Sequence, residues 1–199
     1  MNAKLLRVAW LSVGLGLGME LILLAVAAGF GQHPTIKLIL ADAVQKVSWA
    51  VFVCVGVALG TAASRTRPAA MGLAGLCSGP AAFALAKALH KSAAEALAIA
   101  APAAGGPSPL LLALLKGVEY GGLGAVVGWL GTKPRGAGVH IAAGLLTGLA
   151  FGTVVILLAV RSSAQPLPAA ALAGRAINEI LFPIGCSLVL YAAQRGVTR

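Results

Sequence analysis

Negative charge is scarce. The 199 residues hold five carboxylates, Glu20, Asp42, Glu95, Glu119 and Glu179, against fifteen lysines and arginines, and charged residues of both signs make up only 10% of the chain. Soluble domains carry about 25% charged residues, so this supply could not build a water-facing surface. Cysteine is nearly as rare. Cys54, Cys77 and Cys186 all fall in apolar stretches without metal-ligand spacing, and their expected role is packing. His33, His90 and His140 are scattered, and no phosphate loop, nucleophile elbow or His-Glu zinc pattern is present. These absences leave catalysis without a visible basis. No enzyme activity, cofactor or metal is expected.

What the chain has in abundance is apolar length. Hydrophobic residues make up 59% of it, and the mean hydropathy is +0.95. Six stretches, about 7–30, 37–63, 69–92, 110–132, 138–160 and 170–194, each have the roughly 20 residues that cross a hydrocarbon core of about 30 Å. They leave no room for a soluble domain. The expected fold is an all-α polytopic membrane protein, a single transmembrane domain over 1–199. The first stretch follows Lys4 and Arg7 as a signal peptide would, but its apolar run exceeds the usual 7–15 residues of a signal core and carries Glu20 at its middle. It is expected to be a retained span.

The net charge of +10 follows from topology rather than from nucleic-acid binding. With six spans, Lys4, Arg7, Arg65, Arg67, Lys133, Arg135, Arg195 and Arg199 all fall on one side of the bilayer. By the positive-inside rule that side is cytoplasmic. This implies a multi-pass protein of the plasma (bacterial inner) membrane with both termini in the cytoplasm, the lipid bilayer as its main partner, and no nucleic-acid partner.

The basic residues also keep a cadence. Lys46 is followed by Arg65, Lys116 by Arg135, and Arg175 by Arg195, 19 or 20 residues later. Glu119 and Glu179 each stand 16 residues before their terminal arginine, and Trp49 fills that slot in the first copy. The spacing predicts three pseudo-repeated helical hairpins, with units of about 1–67, 68–135 and 136–199. The alternative is that each helix simply carries one outer and one inner snorkelling cation. Small residues let membrane helices approach closely. Gly14, Gly18, Gly72, Gly75, Gly79, Gly144, Gly148 and Gly152 therefore predict that the odd-numbered helices are inner packing elements, or faces for other membrane subunits or for a homo-oligomer.

At 1.5 Å per residue, Lys46, Lys116 and Arg175 lie near the outer interface, with Glu119, Glu179 and Glu20 somewhat deeper. The offsets Asp42–Lys46, Lys116–Glu119 and Arg175–Glu179 predict ion pairs within single helices. Glu20 has no such neighbour and needs a partner from another helix or from water. Carboxylates inside a membrane face protein or water. The reading that uses them is an outward polar vestibule lined by Glu20, Glu119 and Glu179, with Asn178, Lys46, Lys116 and Arg175 as further substrate-binding residues. The competing reading is interfacial anchoring. Trp49 and Tyr120 are expected in the outer aromatic belt, and Trp10, Trp129 and Tyr191 in the inner one. Lys87–Ile99 is expected to prolong the third helix as an amphipathic segment. The function expected from this pattern is a small permease- or channel-like transporter. The alternative is an accessory or scaffold subunit of a larger membrane complex.

Overall fold

A computed structural model describes residues 3–62, 66–100, 106–133, 135–163 and 165–195. Six long helices follow the apolar stretches: α1 Ala3–Gly29, α2 Ile36–Leu59, α3 Arg67–Ala96, α4 Pro109–Leu130, α5 Ala137–Ser162 and α6 Ala169–Arg195. All six are long and apolar enough to cross a membrane, which makes the chain a multi-pass membrane protein. The helix ends carry recognisable signals. Thr35 caps α2 by accepting from the Leu38 N–H, and Pro68 and Pro109 occupy first-turn positions of α3 and α4, where no N–H is needed. Gly31, with φ of 70°, turns the chain after α1 in a conformation that a side chain would strain. The third helix continues unbroken through Lys87 to Ala96, beyond the apolar run, as its amphipathic extension implied.

Each helix packs on the next in sequence, and α6 returns to α1, closing a ring. Across the centre, α2, α4 and α6 also meet one another. Side-chain contacts bring the described termini to one end: Lys4 Nζ donates to Thr61 Oγ1 at 3.1 Å, and Arg67 Nη1 to the Gly131 carbonyl at 3.2 Å. Of the eight basic residues assigned to this end, Arg65 and Arg199 lie outside the described residues. The perimeter is apolar, with Leu21, Leu73, Leu114 and Leu146 among its exposed side chains, while Glu20, Lys116, Glu119 and Glu179 are buried inside. That inversion is the arrangement a bilayer demands.

Burial corrects the role expected of the odd helices. The most apolar windows of α6 and α4 are 44% and 39% buried, against 22% for α1 and α5, with α2 and α3 equal at 28%. The glycines act instead as local notches. A Cβ on Gly16 of α1 would come within 2.9 Å of the Lys46 carbonyl oxygen, one on Gly79 of α3 would strike the Lys116 carbonyl, and one on Gly152 of α5 would lie 2.9 Å from Glu179 Cβ. Each odd helix thus seats the turn of an even helix that bears a buried or half-buried charge. The opposite face of α1 remains outward, and a Cβ on Gly14 or Gly18 would meet nothing within 4 Å among the described residues.

Candidate functional site

Between α1, α2 and α6, with α3 and α4 behind, lies a cavity of about 680 Å³. Its mouth is formed by Gln32, His33 and Pro34 of the α1–α2 turn and by Ala170 and Ala171 at the start of α6, at the end opposite the described termini. Its floor reaches Trp49 and Phe182, each 13 residues into its helix, or roughly 20 Å from the helix start. Polar groups line a space that ends near mid-helix.

Six of the seven residues singled out from the sequence line this cavity: Glu20, Lys46, Lys116, Arg175, Asn178 and Glu179. Glu119 does not. It is fully buried behind Lys116, so the expectation that it lines a vestibule is corrected. The reason is helical geometry. Three residues fall about 60° short of a full helical turn, and that rotation from Lys116 carries Glu119 toward the bundle centre, where Tyr120 and Leu123 are also wholly enclosed.

The charges form two groups. Lys46 Nζ stands 2.6 Å from Glu20 Oε2, across α1 and α2, at an angle outside hydrogen-bond geometry. This supplies the inter-helical partner that Glu20 lacked locally. Lys46 also lies 3.9 Å from Asp42, the expected neighbour one turn earlier, and Asp42 Oδ1 in turn meets His90 Nε2 of α3 at 3.1 Å. In the second group Lys116 Nζ donates to Glu119 Oε2 at 2.7 Å and to Glu179 Oε2 at 2.5 Å. One ammonium therefore serves two carboxylates on two helices.

The second group corrects two expectations. Glu179 pairs with Lys116 rather than with Arg175, and Arg175 makes no ion pair among the described residues. Sequence offset identifies neighbours on one helix. It cannot show that α4 approaches α6 closely enough for Lys116 to reach Glu179 first. Lys116 is also no snorkelling anchor, since it is only 8% exposed. Removing an ion from water costs several kcal/mol unless it is paired, and two carboxylates around one ammonium meet that requirement for the cation. They leave the group one negative charge in excess by formal count. Glu119 Oε1 and the Tyr120 hydroxyl have no hydrogen-bond partner among the described residues.

Of the two aromatic residues assigned to the outer belt, Trp49 lines the cavity and Tyr120 is enclosed behind it. Trp49 meets Tyr120 edge-on at 5.5 Å and Phe83 at 6.5 Å between ring centroids. Lys116 Nζ lies 5.8 Å from the Trp49 ring centroid and 6.0 Å from that of Tyr120, within cation–π range. A signal for this existed: Trp49 stands three residues after Lys46, as Glu119 does after Lys116, and so falls on the same helical face as its lysine. Trp10 and Trp129, by contrast, are exposed on the perimeter, as belt residues are.

Cys54 and Cys186 are buried in the core and Cys77 is exposed on the perimeter. Comparison with protein-family models, curated proteins and solved structures gives no match, so the site is read from its own geometry.

Proposed function

We propose that this chain is a small permease-like transporter whose substrate enters the cavity between α1, α2 and α6. One observation carries the reading: a space of about 680 Å³ inside a bundle of membrane-spanning helices, walled by Glu20, Lys46, Lys116, Arg175, Asn178 and Glu179. Cavities of a few hundred Å³ with a few convergent polar groups are the usual form of small-molecule sites. Polar residues between helices are what transport folds reuse near mid-membrane. Interfacial anchoring accounts for exposed cations such as Lys91, but a buried lysine held by two buried acids is not an anchor. The mouth would then lie outside the cell, because the opposite end carries Lys4, Arg7, Arg67, Lys133, Arg135 and Arg195 and would face the cytoplasm of a bacterial inner membrane. The role is transport and not catalysis.

The threefold repetition belongs to the same proposal. What supports it is that α2, α4 and α6 each present one cation to the cavity, and that Gly16, Gly79 and Gly152 seat the charge-bearing turns of those three helices.

The second reading is a subunit of a larger assembly or a homo-oligomer. It draws support from the open face of α1, where Gly14 and Gly18 form a small-xxx-small pair that no described residue covers. Solute uptake into proteoliposomes holding the purified chain alone separates the readings. Transport predicts uptake above empty liposomes and its loss in Arg175→Ala or Asn178→Ala with helicity intact. Uptake that appears only when co-purified partner proteins are added would favour the subunit reading.

A further inference from the structure

The cavity wall is electrically lopsided. At its depth, Glu119 and Glu179 share the single ammonium of Lys116, which by formal count leaves that group one negative charge in excess. Glu179 lines the cavity and commits only one oxygen to Lys116. One helical turn nearer the mouth, Arg175 is exposed, lines the same cavity and has no carboxylate partner among the described residues. The other acids of the wall, Glu20 and Asp42, both lie beside Lys46, at 2.6 and 3.9 Å, and Asp42 Oδ1 also meets His90 Nε2 of α3 at 3.1 Å. On α6, then, a cation with no carboxylate partner among the described residues stands nearer the mouth, and a carboxylate that must share its ammonium stands below it. They are four residues apart on α6, a rise of roughly 6 Å. Trp49 borders the negative end and presents a ring beside Lys116, a surface that favours cations.

We infer that the substrate is a small zwitterion, bound with its anionic group on Arg175 and its cationic group against Glu179 and Trp49. This rests on the reading of the cavity as a substrate site, and it adds the substrate's charge pattern and orientation. A pure anion would satisfy Arg175 and leave the deep excess uncompensated. A pure cation would do the reverse. Only a molecule bearing both charges, separated by a comparable span, answers both ends at once. Arg175 is the specificity-determining group, since its planar fork suits carboxylate or phosphate.

The test uses the purified full chain in nanodiscs, with tryptophan fluorescence and calorimetry as binding readouts. Each of two zwitterions is compared with its own halves: 4-aminobutyrate with butyrate and butylamine, and phosphocholine with choline and inorganic phosphate. At least one zwitterion should bind ten times or more tighter than either of its halves, the scale of one charge-assisted hydrogen-bonded contact. Arg175→Ala should reduce that zwitterion to the affinity of its cationic half, while the affinity for that half stays within about twofold of wild type. Halves that bind as well as the whole in both sets, no binding in either set, or an undiminished zwitterion preference in Arg175→Ala would each overturn the inference. Zwitterion binding without uptake into proteoliposomes would remove the transporter reading and leave the zwitterion site standing. Uptake of a half-molecule without zwitterion preference would do the opposite.

Discussion

Replacing Lys116 by methionine keeps most of the side-chain volume and removes the one cation that Glu119 and Glu179 share. Glu119 is fully buried, so water cannot take the place of the ammonium 2.7 Å from it, while Glu179, on the cavity wall, is only 8% exposed and would be poorly hydrated. Breaking a buried ion pair by deleting one partner costs about 3–5 kcal/mol, because the survivor is left charged and desolvated. Here two survivors remain, so Lys116→Met should lose at least about 3 kcal/mol of stability, more than a hundredfold in the unfolding equilibrium. Removing the acids as well, in Lys116→Met with Glu119→Gln and Glu179→Gln, should recover most of that loss, since neutral amides need no counter-ion. Equilibrium unfolding in mixed micelles, followed by helical circular dichroism, measures both. A Lys116→Met protein within about 1 kcal/mol of wild type, or a triple variant no more stable than the single one, would refute the reasoning that the three groups form one buried unit.

Glu20→Gln should cost less, about 1–2 kcal/mol by the same unfolding assay, because Lys46 keeps Asp42 at 3.9 Å and borders the cavity. Gly152→Leu places its Cβ against Glu179 Cβ and should destabilise by about 1–3 kcal/mol, whereas Gly14→Leu, with nothing within 4 Å, should stay within about 0.5 kcal/mol. Equal effects of the two leucines would show that the odd helices do not seat the charged turns.

Six apolar spans were legible because a bilayer imposes length and polarity on any chain that crosses it. Glu20 illustrates how far this goes. With no cation three or four residues away, it had to be satisfied from another helix, and Lys46 does so. The pairing of Glu179 was not legible. Its offset from Arg175 is as favourable as that of Asp42 from Lys46, and the choice of Lys116 depends on how closely α4 and α6 approach. Glycine content could be read, but not which face of each helix it served: Gly79 and Gly152 seat charged turns, while Gly14 and Gly18 face outward. Tyr120 shows a further limit. Depth along a helix places it at an interface, but rotation about the helix axis places it wholly inside.

Thiol accessibility tests most directly whether the charged wall belongs to a cavity that solute can enter. In a background where Cys54, Cys77 and Cys186 are replaced by alanine, single cysteines are placed at Arg175, Asn178 and Glu119 and exposed to a membrane-impermeant maleimide in intact cells. Arg175→Cys and Asn178→Cys, on the cavity wall, should react from outside, and Glu119→Cys, enclosed behind Lys116, should react only after denaturation. Silence at Asn178→Cys from outside, or labelling at Glu119→Cys as fast as at Arg175→Cys, would contradict the account.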